Sequence, residues 1–265
     1  MLPLAGETIP TNADELAAAL QRGFESHGLV PHKIMAEGKT YPALARLSVD
    51  LTGAETTRES RPPTVPANAD DPVLEIAHLE LFGEPLYFEK TPLEVRVEGD
   101  QVKVRVAGDP QNASLVPESA ATGTVSVKVA KEALEALLKS VVSELAAKQG
   151  LEVKKTKLDL TQEGARSVVF RAEVTAKVFI MNATLALTGR LDIDDAFNAR
   201  LSGLGLDGDS MVVNLAGSYL RPRLQELEGR VFPLLAFSPG GLKLRNIELA
   251  VTPALQLRAR FGGVV

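Results

Sequence analysis

The sequence predicts an α+β protein in which a long, curved antiparallel β-sheet wraps around a long amphipathic helix. Two patterns indicate this class. The segment from Val127 to Gln149 contains neither Gly nor Pro and carries a wide apolar stripe, which is typical of a helix with one buried face. Alternating apolar and polar residues then run from Val168 to Ile193, far beyond the five or six residues of an ordinary strand. Strands with one apolar face must bury it, and we expect the helix to cover it.

A shorter helix is predicted near the N-terminus, followed by a strand. Thr11 or Asn12 is a suitable N-cap, and Gly28 is a suitable C-terminal stop. The apolar face of the helix consists of Leu16, Leu20 and Phe24, and that of the strand of Leu47, Val49 and Leu51.

A β-hairpin is predicted in the middle of the chain. The pair Gly99-Asp100 is of the type that a two-residue hairpin turn requires, and it lies between two alternating segments. Their apolar residues are Leu93, Val95 and Val97 before the turn and Val102, Val104 and Val106 after it.

Two segments rich in proline and small polar residues, 53–72 and 107–123, are predicted to be loops. We expect a single elongated domain over residues 1–265. The alternative is a pair of related halves, 1–106 and 124–265, because each half has a helix and strands.

The long alternating run changes phase near Asn182, which predicts a bulge or a tight turn at Met181-Asn182. A further helix is expected over 215–227, kinked or restarted at Pro222. Two alternating strands separated by Pro253 close the chain.

Composition excludes several classes of function. The 29 basic and 34 acidic residues give a net charge of −5, and no basic cluster suggests nucleic-acid binding. Cysteine is absent, which excludes disulfides and thiolate chemistry. We find no signal peptide and no apolar run of about eighteen residues, so we expect a cytoplasmic protein, with a removed leader left open.

One glycine motif invites a nucleotide-binding interpretation. Gly203-Leu-Gly205-Leu-Asp-Gly208 matches the Gly-x-Gly-x-x-Gly fingerprint letter for letter. That fingerprint needs a preceding parallel strand and a helix that begins on the pyrophosphate. The preceding strands are predicted to be antiparallel, so the motif predicts a glycine-rich turn instead.

No other residue set indicates catalysis. His27, His32 and His78 lack the spacing of metal ligands. Alternation places Asp192 and Asp194 on the solvated face of a strand. We therefore expect no enzymatic activity, no metal and no cofactor.

The order of elements from about residue 73 to 265 resembles that of the LmeA-like phospholipid-binding family of bacteria, within the tubular lipid-binding (TULIP-like) superfamily. The segments that carry the resemblance are Gly123-Thr-Val-Ser-Val-Lys-Val-Ala-Lys-Glu-Ala-Leu134, Leu187-Thr-Gly-Arg-Leu-Asp-Ile-Asp194, Leu220-Arg-Pro-Arg-Leu224 and Phe232-Pro-Leu-Leu235, followed by two apolar strands.

This resemblance implies an apolar channel between the sheet and the helix, with phospholipid or fatty acid as the ligand and transient contact with a membrane surface. The implied lipid-binding residues are Leu134, Leu138, Val141 and Leu145 of the helix, Val168, Phe170, Val174, Val178, Ile180, Leu185, Leu187 and Leu191 of the sheet, and Phe232, Leu235 and Phe237 at a mouth. The leading hypothesis is a non-enzymatic lipid carrier or sensor. The alternative is an interaction scaffold with a solid core and no ligand cavity.

Overall fold

The chain is a mixed α/β protein dominated by two large, mainly antiparallel sheets. A computed structural model describes residues 2–6, 10–38, 40–56, 74–107, 113–147, 152–178, 181–208, 221–222, 224–237 and 242–262. Two compact units divide the chain: unit 1 is Met1–Lys128, Phe237–Asn246 and Leu257–Val265, and unit 2 is Val129–Ala236 and Ile247–Gln256. The predicted alternatives of one domain or two related halves stay predictions.

The elements follow in this order: β1 (Leu2–Pro3), α1 (Ala13–Ser26), β2 (Lys33–Glu37), β3 (Ala43–Asp50), β4 (Glu55–Thr56), β5 (Leu74–Phe88), β6 (Thr91–Ala107), β7 (Ser114–Ser119), β8 (Thr122–Ala130), α2 (Lys131–Ala147), β9 (Glu152–Gly164), β10 (Ser167–Val178), β11 (Met181–Ile193), β12 (Asn198–Gly208), β13 (Val231–Pro233), a 3-10 helix (Leu234–Phe237), β14 (Leu244–Val251) and β15 (Ala254–Phe261).

The first sheet has ten strands, whose main path is β14-β15-β8-β6-β5-β3-β2. Strand β6 pairs antiparallel with β5, β7 and β8, whereas β3 and β4 run parallel to β5. The sheet is therefore mixed, although antiparallel pairing predominates.

Helix α1 confirms the predicted N-terminal helix, and its hydrogen bonds show which of the two candidates is the N-cap. The Oδ1 of Asn12 accepts a hydrogen bond of 2.9 Å from the backbone N–H of Glu15. The Glu15 carboxylate in turn accepts from the backbone N–H and the hydroxyl of Thr11 at 2.8 and 2.9 Å. These bonds, the backbone one foremost, lower the pKa of Glu15. Asn12 is thus the N-cap, and Thr11 supports Glu15.

Unit 1 has a solid aliphatic core. The largest side chains that are less than 2% exposed in the described structure all belong to this unit. They come from α1 and four strands, and all of them except Ser114 and Val116 pack as one cluster. These side chains are Leu16, Leu20, Leu47, Leu74, Ile76, Leu115, Val49, Val102, Val104, Val116 and Ser114.

The predicted hairpin turn at Gly99-Asp100 is wrong. Strand β6 runs unbroken through both residues, and the chain reverses earlier, at Glu89 and Lys90 between β5 and β6. Both turn residues have positive φ, 47° and 68°, which is the backbone that a two-residue hairpin of primed type requires. The turn therefore lies at residues that carry no Gly, Asn or Asp signal.

The pattern that suggested a turn marks a change of partner along β6. The strand pairs with β8 up to Asp100 and with β7 from Lys103 onward. Between them, Gln101 has a φ of +50°. The more buried residues therefore change from the odd positions up to Gly99 to the even positions from Val102. A one-residue shift in a continuous strand resembles a hairpin in sequence.

The predicted loop over 107–123 is also corrected, because it contains β7. Leu115 and Val116 are exposed by only 0% and 1%, so this strand belongs to the core despite its polar and proline-containing neighbours. In the other predicted loop, 53–72, residues 55–56 form β4 and residues from 57 onward lie outside the described residues.

Unit 2 is built on a five-stranded sheet of order β13-β12-β11-β10-β9, in which each neighbouring pair is antiparallel. The long alternating strands are confirmed as β10 and β11. Val178 pairs with Met181 at the end of this hairpin, just before the predicted position at Met181-Asn182. Asn182 itself pairs with Lys177 inside the hairpin.

Helix α2 begins at Lys131 rather than at the predicted Val127, because β8 continues to Ala130. Residues 221–222 and 224–227 are helical, within the helix predicted over 215–227, whereas 209–220 lie outside the described residues. The two closing strands are confirmed as β14 and β15, which meet at Thr252 and Pro253.

Side chains engage the outer edge of β9, the last strand of the five-stranded sheet. The backbone N–H of Leu158 donates to the Glu135 carboxylate at 2.8 Å. Further along, the Gln162 amide donates to the carbonyl of Leu249 at 3.1 Å and accepts from the N–H of Val251 at 3.0 Å. One backbone group of this edge is thus bonded to a side chain, and the side chain of Gln162 connects β9 to the backbone of β14.

Candidate functional site

The register of the five-stranded sheet places its large aliphatic residues on one face. Leu158, Ala172, Leu187 and Leu206 are directly paired across β9, β10, β11 and β12. Directly paired residues in antiparallel strands share a face. This apolar face consists of Leu158, Leu160, Val168, Phe170, Ala172, Val174, Leu185, Leu187, Leu191 and Leu206.

Most large side chains of this face are only half-buried. Among the predicted site residues, Val168 is buried at 4% exposure, whereas Phe170, Val174, Leu185, Leu187 and Leu191 are half-buried. The small Ala172 and Ala176 are buried on the same strand. The structure therefore brings the predicted sheet residues together, but it buries most of them less completely than the core side chains of unit 1. Ile180 and the side chain of Val178 lie outside the described structure.

Helix α2 is anchored beside this face at β9. The hydroxyl of Thr156, which shares a row with Val174 and Leu185, donates to the carbonyl of Glu135 at 3.2 Å. Lys131 makes an ion pair with Asp159 at 3.3 Å. These bonds, together with that from Leu158 to Glu135, fix the first two turns of the helix along β9.

The predicted helix residues differ in exposure. Leu134 and Leu138 are half-buried, whereas Val141 is 36% exposed. The side chain of Leu145 lies outside the described structure. The first half of the predicted apolar stripe is therefore the part that is covered best.

Phe170 lies across a glycine on the next strand. Gly189 pairs with Phe170, and a Cβ added to Gly189 would lie 2.5 Å from the ring Cζ and 2.7 Å from the Cδ2 of Leu204. Because real Cβ atoms do not approach other atoms so closely, a larger residue here would displace the ring of Phe170 and the side chain of Leu204. The aromatic ring thus spans β11 toward β12.

The glycine motif 203–208 forms part of β12 and not the predicted turn. Gly203 has a φ of +61°, and Gly203 and Leu204 together lie opposite Gly189 at a shift in register. Two residues facing one, with glycine in the left-handed region, make a G1 β-bulge. The bulge accounts for Gly203 without a nucleotide, and β12 is antiparallel to β11 and β13 rather than part of a parallel sheet.

An open groove of about 300 Å³ adjoins this bulge. Its lining combines three leucines with the polar side chains of Arg221, Gln225 and Glu228. The Glu228 carboxylate closes one side, where it accepts hydrogen bonds from the backbone N–H groups of Gly203 and Leu204 at 2.9 and 2.8 Å. The lining residues are Gly203, Leu204, Leu206, Arg221, Leu224, Gln225 and Glu228.

The residues predicted for a mouth are dispersed. Phe232 is half-buried, pairs with Ala199 and lies under the guanidinium of Arg230, 5.1 Å from its ring centre. Leu235 is 51% exposed. Phe237 is assigned to unit 1, and its side chain lies outside the described structure.

The acidic residues of the β11–β12 hairpin are engaged in their own local bonds. Asp192 accepts from Arg190 at 2.8 Å, Asp194 from the backbone N–H of Asn198 at 2.8 Å, and Asp195 pairs with Arg166 at 2.9 Å. Within the described ranges, no group of three or more His, Asp or Glu residues is placed to hold a metal ion.

No protein-family model, curated protein or solved structure matches this chain. The resemblance to the LmeA-like family therefore stays a prediction. The helices described by the structure include none that is both long and apolar enough to cross a membrane.

The groove residues Leu204, Leu206, Arg221 and Leu224 are absent from the set predicted from the sequence. Leu204 and Leu206 alternate with glycines, and this pattern resembles a phosphate-binding fingerprint more than an apolar strand. The signal that would have found Leu206 is its position in the strand paired with the 185–191 run. Arg221 and Leu224 reach the groove only through the tertiary fold.

Proposed function

We propose that unit 2 binds the acyl chain of a phospholipid or fatty acid on the apolar face, without covalent chemistry. The observation that carries this proposal is the contrast between the two units. The side chains that are less than 2% exposed lie in α1, β3, β5, β6 and β7 of unit 1, whereas the large side chains of the apolar face, apart from Val168, are half-buried. An apolar face that its own chain covers only in part is typical of an interaction or ligand site.

The chemistry of the face suits an acyl chain. Apart from Phe170, its large residues are aliphatic, and they offer contact area without directional hydrogen bonds. Each buried methylene contributes about 0.8 kcal/mol. Ten methylenes then contribute about 8 kcal/mol, which is of the same order as the cost of association, about 4–15 kcal/mol. Long chains should therefore bind measurably, and short ones should not.

The proposal includes a curved, TULIP-like arrangement in which α2 covers part of the face. The bonds of Glu135 to Thr156 and Leu158 support it, because they hold the helix along one border of the sheet. Transient contact with a membrane surface, from which lipid would be taken, is part of the same proposal. The exposed Leu235 and Val231, at 51% and 44%, support such contact.

Native mass spectrometry of the purified protein, followed by solvent extraction, tests this function. A stoichiometric mass excess that resolves into phospholipid or fatty acid is expected. A clean protein mass, with no uptake after incubation with phospholipid vesicles, would contradict the proposal. It would favour the alternative of a scaffold with a solid core.

A further inference from the structure

The groove beside the bulge continues the apolar face. Leu206 lines the groove and is directly paired with Leu187, which belongs to the face. From Leu206 the row continues through Leu187 and Ala172 to Leu158. Four strands span three interstrand spacings, so this apolar row is about 14 Å long. A chain that starts in the groove can therefore lie across the sheet.

The groove end of this row carries a cation. Arg221 and Gln225 line the groove together with Leu204, Leu206 and Leu224. Within the described part of the chain, no carboxylate lies within ion-pair distance of Arg221. A guanidinium presents parallel N–H groups that match a carboxylate, and such charge-assisted pairs are among the stronger hydrogen bonds.

The other charged group of the groove, Glu228, is already engaged. Each of its carboxylate oxygens accepts a hydrogen bond from a backbone N–H of the bulge: Oε1 from Gly203 and Oε2 from Leu204. These two dipoles offset part of its negative charge. Arg221 is therefore the group in the lining that attracts an anion, and Gln225 is an additional donor.

From this geometry we infer that the ligand is a long-chain fatty acid, with its carboxylate on Arg221 and its chain over Leu204 and Leu206 toward Leu187. The inference rests on the proposed acyl-chain binding and deepens it. One cation suits a single carboxylate, and a groove of about 300 Å³ lies at the lower limit of ligand sites, which favours one chain over two.

Paired binding measurements with palmitate and hexadecanol test the head group, because the two chains are equally long. The wild-type protein should bind palmitate at least about tenfold more tightly than hexadecanol, as expected for a charge-assisted hydrogen bond. Arg221→Gln should reduce palmitate binding to the level of the alcohol and leave hexadecanol binding unchanged. Arg221→Lys should restore part of the preference.

Arg171→Gln is the matched control, because Arg171 lies on the opposite face of β10, pairs with Glu173 and is also exposed. It should leave both affinities unchanged. Arg221 is exposed, so its replacement should leave the circular dichroism spectrum intact. A second variant, Leu206→Asp, should weaken the binding of both ligands.

The head-group assignment would be wrong if Arg221→Gln still preferred palmitate to hexadecanol, or if the wild-type protein bound both with equal affinity. Either result would leave the proposed binding of the acyl chain unaffected. Tighter uptake of phosphatidylglycerol from vesicles than of palmitate would also overturn the head-group assignment. Failure of all three ligands to bind would instead remove the proposed function itself.

Discussion

The ring of Phe170 and the bare backbone of Gly189 form a complementary pair across β10 and β11. The two residues are directly opposed, and a Cβ on Gly189 would lie 2.5 Å from the Cζ of Phe170. The pair couples the packing of the apolar face to the bulge at Gly203, because Gly189 is also the residue opposite that bulge.

Replacement of Gly189 by alanine should destabilise unit 2 by about 1–3 kcal/mol, because the added methyl displaces the ring of Phe170 and the side chain of Leu204. Urea denaturation measures the change. Gly164→Ala is the control, since its Cβ would meet only Ser167, at 3.9 Å. Phe170→Leu should suppress part of the effect. If the two alanine variants are equally stable, the ring does not occupy this position.

A charge on the apolar face should abolish lipid uptake. Val174→Asp places a carboxylate among half-buried apolar side chains, where a bound acyl chain would desolvate it. We expect lipid binding to fall at least about tenfold, measured by titration with a fluorescent fatty acid. Thr161→Asp adds the same charge on the opposite face of β9 and should bind normally. Normal uptake by folded Val174→Asp would exclude this face as the site.

Loss of the Glu228 carboxylate should loosen the bulge locally. Glu228→Ala leaves the N–H groups of Gly203 and Leu204 without their acceptor and should cost about 1 kcal/mol, since the site is exposed. Hydrogen exchange of these two amides should accelerate. Glu226→Ala, a neighbouring exposed glutamate, serves as the control. Unchanged exchange at both amides would show that Glu228 does not hold them in solution.

Asp100 should make unit 1 sensitive to acid. A hydrogen bond from the Thr122 hydroxyl is the main cause that lowers the pKa of its carboxyl, and a hydrogen bond from His78 lowers this pKa further. Because the folded pKa lies below the unfolded value of about 3.9, this contribution is fully present above about pH 5. It disappears as the pH falls through the lowered folded pKa.

NMR titration of Thr122→Val should therefore show the pKa of Asp100 rising toward its unfolded value, with a smaller rise in His78→Gln. The stability difference between wild type and Thr122→Val should narrow with acidification. Thr124→Val, two residues along β8, provides the comparison and should leave the titration of Asp100 unchanged. A larger rise in His78→Gln than in Thr122→Val would reverse the assigned order of causes.

The spacing of apolar residues in the sequence was sufficient to predict the regular parts of the fold. The buried positions Leu16, Leu20 and Phe24 and the alternation of β10, β11, β14 and β15 follow directly from local spacing. Turn-forming residues did not predict the turn correctly where pairing with neighbouring strands keeps the chain extended. Gly99-Asp100 satisfies every local rule for a hairpin, yet pairing with β5 on one side and with β8 then β7 on the other keeps β6 extended.

The apolar face was largely predictable, because one-sided alternation defines it strand by strand. Its degree of enclosure was not, since a core residue and a half-covered one share the same sequence pattern. Val141 and Leu235 show this difference: the family resemblance implied that both bind lipid, and both are exposed. The groove depends on Arg221 and Leu224 approaching a bulge in a distant strand, and no local spacing encodes that approach.

A charged side chain occupies one position on the β9 border of the five-stranded sheet. A free strand border is a template on which further chains can polymerise. At Leu158 the template position is occupied by the Glu135 carboxylate, and beside it Gln162 binds the backbone of the 249–251 segment. An incoming strand would have to displace a charged group that belongs to the same molecule. At this position the protein itself opposes the addition of a further strand to the sheet.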